Sequence, residues 1–226
     1  MGWIKRTVAI VQCRLGSTRL PGKALRELAG HPLIGHLVDR LRQVRGLDEI
    51  GLAIGDAPGN DPLVEFAKAE GLPWIIGPED DVLWRFIVAA DTFKADVILR
   101  ATPDCPLWPP DLGGQVLAAL HSAGTDYAHN TRPGVDGFDA EAFTRDALGR
   151  HPLTIDIEHV TPWMRQHLKT VHVQQAPELW HLKLSVDSEE DFARVSAIMT
   201  CLPRPGDYGW RSPVKAARWA GLAGHI

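Results

Sequence analysis

Sulfur is scarce in this chain. Cys13, Cys105 and Cys201 are odd in number, far apart and without a C-x-x-C pair. That excludes a disulfide framework and a structural zinc site, and it fits a reducing compartment, so the cytoplasm is the expected location. Long apolar runs are missing too. No stretch reaches the roughly 20 residues of a bilayer-spanning helix, and the N-terminal segment lacks the basic-then-apolar pattern of a secretory leader; no membrane association is expected. Positive charge is in deficit, with 24 Lys and Arg against 28 Asp and Glu for a net charge of −4. A broad polyanion-binding face is excluded, and with it nucleic acid as a partner. Any anion site has to be local. The histidines show no H-x-x-x-H spacing with a third metal ligand, and there is no internal repeat, low-complexity tract or linker.

Short β-branched runs alternate with helical patterns instead. The strand-like runs are 7–13, 49–54, 73–77, 96–102, 170–175 and 182–187. In "HPLIGHLVDRLRQV" apolar residues fall at 33, 34, 37, 38, 41 and 44, one face of a helix, with Pro32 suited to its first turn. "DPLVEFAKAEG" reads as a helix with Asp61 as N-cap, Pro62 at the first position and Gly71 as the stop. "DVLWRFIVAADTF" is a third, capped by Asp80 or Asp81. Strand-helix alternation with short connections predicts an α/β fold with a mostly parallel sheet between helices. Residues 127–144 break the rhythm and read as short strands and loops inserted into the sheet. With 226 residues, the economical reading is one domain over 1–226. The Gly- and Trp-rich C-terminal segment is left unassigned.

The loop after the first strand concentrates chemistry. "RLGSTRLPGK" sets Arg14, Arg19 and Lys23 among Gly16, Ser17, Thr18 and Gly22. It is not a P-loop: five residues separate the glycines, and Ala24 follows the lysine where a hydroxyl is required. In an open α/β sheet, ligands bind at the carboxyl ends of strands. Glycines let the backbone approach an oxyanion, and successive amides form an anion-binding nest. Three cations and two hydroxyls add charge-assisted bonds. On an acidic chain, a phosphate site explains this better than a solvated turn.

This loop resembles the signature of the cytidylyltransferases that activate acidic sugars, closest to the branch named after spore coat polysaccharide biosynthesis protein F. "EDDVLWRF" (79–86), "RATPDCPLWPPDL" (100–112), "DGFDAEAF" (136–143), "EHVTPWM" (158–164) and "LKLSVDSEEDF" (182–192) resemble the same branch in the same order. The likeness implies a Rossmann-like nucleotidyltransferase fold of the glycosyltransferase-A type. It implies transfer of CMP from CTP to a small acidic sugar, with release of pyrophosphate, for surface polysaccharide. Arg14, Lys23 and Asp104 would be catalytic. Arg14, Gly16, Ser17, Thr18, Arg19, Lys23 and Arg100 would bind the nucleotide. Asp104 and Asp187 would hold Mg2+, and Asp139, Glu141, Glu158 and His159 would border the acceptor. Family members often pair, so a homodimer is open, with 127–144 as its interface.

Plainer roles stand beside these. Asp187 or Ser188 suits a helix N-cap, Asp104 a turn before Pro106, and Arg100 a salt bridge with a neighbouring acid. Asp139 and Glu141 alternate on an extended segment and so face one side. Trp163 and Trp180 suit either packing or a sugar pocket. Two departures from the family pattern also bear on activity. Pro103 replaces the glycine of T-G-D-C-P, fixing φ and removing an N–H. Ile157 replaces an arginine before E-H-V-T-P. They leave open a nucleotide-binding scaffold with little transferase activity. A glycosyltransferase using a nucleotide-sugar is a further alternative, without a D-x-D triplet to support it.

Overall fold

The computed structural model describes residues 5–131, 133–175, 181–202 and 213–214. The chain runs β1 (Thr7–Cys13), a single 3-10 turn (Lys23–Leu25), β2 (Glu27–Leu28), β3 (His31–Pro32), α1 (Leu33–Leu41), β4 (Glu49–Gly55), α2 (Asp61–Ala69) and β5 (Trp74–Gly77). Then follow α3 (Val82–Thr92), β6 (Val97–Ala101), α4 (Pro110–Ala123), β7 (Tyr127–His129), β8 (Glu141–Thr144), α5 (Arg145–Gly149), α6 (Thr161–His167), β9 (Thr170–His172) and α7 (Glu189–Thr200).

Seven strands form one sheet in the order β5-β4-β1-β6-β8-β7-β9. β5, β4, β1 and β6 are parallel, β8 is antiparallel to both its neighbours, and β9 is parallel to β7. The fold is α/β with a mostly parallel mixed sheet. Alternation along β1 explains the layers. Ala9, Val11 and Cys13 face one core with Leu37 and Leu41 of α1, Leu63 of α2 and Val116 of α4. Val8 and Ile10 face the other, with Phe86 of α3, Phe143 of β8 and Met164 of α6. Each large apolar side chain fully buried this way contributes about 1.5–3 kcal/mol. A third core joins Leu28, Leu107, Phe138, Leu184, Val186 and Val195. It docks the late segment before α7 onto the β2–β3 hairpin and the loop after β6.

Several expectations change. Residues 182–187 are not a strand: only Lys183 bridges, to Asp136, flanked by Asp136 N–H to Leu182 and Leu184 N–H to Asp136. The run at 170–175 shortens to β9. Pro32 precedes α1 because it closes the hairpin with Glu27. Asn60, not Asp61, stands at the N-cap of α2, so Pro62 falls one position later. Asp81 does cap α3, accepting from Trp84 N–H at 2.8 Å. The short strands expected within 127–144 do enter the sheet, as β7 and β8, with β8 between β6 and β7. α4 was not anticipated. Trp163 packs against His151 and His167, while Trp180 and most of the C-terminal segment lie outside the described residues. No helix among the described residues is long and apolar enough to cross a membrane.

Candidate active site

From β1 the chain crosses to β4 on one side, then returns through α3 to β6 on the other. The carboxyl ends of β1 and β6 therefore flank the point where strand order reverses, where an open α/β sheet leaves a crevice. A cleft of about 300 Å³ lies there. It is lined by Arg14, Gly16, Ser17, Thr18, Arg19, Lys23, Asp104, Glu158, His159 and Asp187 from the expected set, and by Gln12, Arg85 and Pro103. A roomier hollow of about 660 Å³ between residues 43–46 and α4 contains none of the expected residues.

The loop after β1 is closed on itself. Ser17 and Gly22 both donate their amides to Leu15 O, at 2.8 and 3.0 Å. Gly22 has φ 69, a left-handed conformation that costs glycine little. Buried Asn60 fixes the loop's start: its Oδ1 accepts from Leu15 N–H at 2.8 Å, and its Nδ2 donates to Gly55 O and Glu79. Among the described residues the amides of Gly16, Thr18 and Arg19 have no protein acceptor. Arg14 stands 3.6 Å from both Asp80 and Glu158, and Arg19 3.5 Å from Asp187. These pairs are long and partly exposed, so they hold the guanidiniums weakly.

Lys23 joins the two aspartates. Its Nζ lies 2.9 Å from Asp187 Oδ1 and 3.3 Å from Asp104 Oδ2, and it also donates to Val186 O at 2.9 Å. Burial pulls the ammonium's pKa down, but Asp104 and Asp187 outweigh it and the net shift is upward. Burial raises Asp187, and its bonds to Lys23 and Lys183 reverse that, holding the carboxyl below its ordinary value. Ser188 caps α7 in a capping box with Asp191, so Asp187 is released from the capping role. The turn Thr102–Cys105, closed by Cys105 N–H to Thr102 O at 3.3 Å, carries Pro103 at its second position. Proline suits that position of a turn.

The other expected residues divide. Glu158 and His159 reach the cleft. They precede Val160, whose φ 62 and ψ −57, with Thr161 N–H bonded to His159 O, form a γ-turn of the rare positive-φ kind. His151 braces it by a bond to Val160 O. Strain of this sort is stored where surrounding structure enforces it. Arg100, Asp139 and Glu141 are outside the cleft lining. The backbone carbonyl of half-buried Asp139 accepts from Trp108 Nε1. Glu141 is buried and bonded by Arg100 at 2.8 Å, Arg165 at 3.0 Å, Thr161 at 3.1 Å and the Tyr127 hydroxyl. Burial raises its pKa, yet Arg100 foremost holds it below the usual range.

Sequence reasoning missed Arg85 and Gln12. Arg85 is 1% exposed, donates to Pro78 O and Glu79 O, and keeps a buried Nε without a partner among the described residues. Its signal was a charge on the apolar face of α3, between Val82 and Ala89. Gln12 is a polar residue in an otherwise apolar strand run.

A basic loop with unpaired amides and a carboxylate pair meet at the switch-point cleft of this α/β fold. The cytidylyltransferase family model matches residues 8–201, and the chain belongs to that family: it is a CTP-dependent nucleotidyltransferase. It is 33% identical over 202 residues to spore coat polysaccharide biosynthesis protein SpsF of Bacillus subtilis (strain 168), covering 84% of each chain. A cytidylyltransferase structure from Leptospira borgpetersenii superposes with TM-score 0.89 at 22% identity, over 98% of this chain and 99% of that one. The structure of CMP:2-keto-3-deoxy-manno-octonic acid synthetase complexed with CTP gives 0.66 at 21%, over 86% and 98%. Rv0371c of Mycobacterium tuberculosis H37Rv in complex with manganese gives 0.60 at 19%, over 84% and 97%. These three likenesses show the fold.

Proposed function

We propose that the protein transfers CMP from CTP to the hydroxyl of an acidic sugar or related acceptor, in the cytoplasm, for surface polysaccharide. The observation that carries this reading is Lys23 held between Asp104 and Asp187, beside a loop with unpaired amides. The names of SpsF and of the octonic acid synthetase support the acceptor class and the pathway. The cleft suits the reaction. The Gly16, Thr18 and Arg19 amides with Arg14 and Arg19 receive the β- and γ-phosphates, and Lys23 neutralises the α-phosphate. The acceptor oxygen bonds to the α-phosphorus as the bridge to the β-phosphate breaks. Pyrophosphate leaves into the cradle, and the hydroxyl proton departs on the side lined by Glu158 and His159.

The donor set fits a hard divalent cation. Two carboxylates from separate loops converge on one ammonium, which marks a point between them where positive charge is stable. Among the described residues no third acidic, His or Cys side chain completes the set. Magnesium accepts such a site, taking waters and phosphate oxygens for its other positions. Manganese in the Rv0371c complex agrees with a divalent ion on this fold. Bound by Asp104 and Asp187, the ion would offset charge on the transferring phosphate.

The test is pyrophosphate release from CTP and Mg2+ with a panel of sugar acids and their neutral counterparts, alongside a thermal-shift measurement of CTP binding. Turnover confined to acids is expected. Turnover of neutral sugars alone overturns the acceptor class. CTP binding without turnover of any member of the panel puts the acceptor outside the sugar acids and overturns the acceptor class.

A further inference from the structure

Gln12 is the last side chain of β1 on the face of Val8 and Ile10, and it lines the cleft. Its Oε1 accepts from Arg100 Nε at 3.2 Å. A guanidinium only donates, so the atom facing it must be the amide oxygen, and the amide cannot be turned over. Arg100 is itself fixed, because its Nη1 donates to buried Glu141, which Arg165, Thr161 and Tyr127 also hold. A bonded row thus runs from the interior to the cleft floor. Its last member keeps an NH2 with no acceptor among the described residues.

We infer that Gln12 is a specificity-determining donor for the nucleotide base, its amide N–H pairing with ring N3 of cytosine. This rests on the CTP reading of the cleft. The phosphates are provided for by the loop that begins two residues later. The uncharged side chains of Val82 and Thr102 line the same cleft. A neutral donor in that company suits an uncharged ring atom bearing a lone pair. N3 is such an atom in cytosine, whereas in uracil it carries a hydrogen. A donor that cannot rotate therefore accepts the first base and meets the second N–H to N–H. Unpaired donors of this kind cost about tenfold or more in relative affinity. Arg100 and Glu141 become positioning residues that act through Gln12.

The test is calorimetric binding of CTP and of UTP, each with Mg2+, to the wild type, Gln12→Glu and Gln12→Leu, with thermal melting to verify folding. Gln12→Glu retains the Arg100 contact through one oxygen and offers the other as an acceptor. The CTP:UTP affinity ratio is expected to fall by about tenfold or more, with UTP gaining in absolute terms. Gln12→Leu, which neither donates nor accepts, lowers CTP affinity without a gain for UTP. It carries the test should the glutamate variant fail to fold. A ratio unchanged from wild type in the folded variants overturns the inference and leaves the CTP reading standing. A wild type that binds neither nucleotide overturns both.

Discussion

The amide of Val186 donates to the carbonyl of Asp104 at 2.8 Å. That one backbone bond fastens the segment before α7 to the turn after β6. It brings Asp187, the next residue, within reach of the lysine that Asp104 also holds.

Removing either end of this arrangement should stop chemistry before it stops folding. Lys23→Ala and Asp104→Asn are each expected to lower pyrophosphate release by about 10²–10³-fold, the range for removing one group that stabilises transition-state charge. A coupled pyrophosphate assay reads this, with circular dichroism as the folding control. Near-normal turnover in both would remove these residues from the mechanism.

Gly137→Ala should damage the site from a distance. Gly137 has φ 99, and a Cβ there would meet Ser185 N at 2.6 Å and Leu184 C at 2.7 Å. Those neighbours are backbone and cannot swing aside. The strain should cost more than about 2 kcal/mol and displace the strand-like segment that carries Asp187. A lowered denaturant midpoint together with weaker Mg2+-dependent activity is expected. A variant with wild-type stability contradicts the close packing seen here.

Glu141→Gln should act on stability. The side chain is 4% exposed and compensates Arg100 and Arg165. Losing its charge leaves both guanidiniums short of a counter-ion, at about 3 kcal/mol, the lower end for breaking a buried pair because Arg165 is partly exposed. Urea unfolding measures it, and a change under about 0.5 kcal/mol would mean the charge is solvated after all.

Acidification should weaken the fold through His129. Burial first, then the neighbouring Arg165, depress its pKa to about 4 from 6.5. The unfolded chain therefore takes up this proton at higher pH than the native one. The stabilisation is complete above about pH 6.5 and is lost as pH falls toward 4. His36 is shifted the same way by burial and adds to the slope. His129→Gln should flatten, without abolishing, the fall in melting temperature across that window. An unchanged slope would assign it elsewhere.

That the basic loop lines the cleft could be anticipated from the sequence because the loop is local: glycines, hydroxyls and three cations occupy ten residues after an apolar strand. α1 was legible for a similar reason, its buried positions following one helical face. The meeting of Asp104 and Asp187 was not legible, since a bond between distant backbone atoms leaves no periodicity. The alternation in "LKLSVD" looked like a half-buried strand. It is instead an extended segment with one bridge, its apolar residues feeding the third core. α4 was hidden by Pro109 and Pro110, which mark a loop as readily as a helix start, and by Gly113 and Gly114, which lower helix propensity. Glu141 and Arg100 were recognised as important, but their direction was not: they point into the sheet's polar row and not at the cleft.

The placement of β8 has a consequence for the newborn chain. β7 is synthesised first, yet it reaches β6 only through β8, which lies between them. The half of the sheet made by β1, β4, β5 and β6 can close by successive neighbouring crossovers while translation continues. The other half waits until Thr144 has left the ribosome, and the second acid of the carboxylate pair emerges later still. The contact of Lys23 with both aspartates therefore forms only after residue 187 has been made.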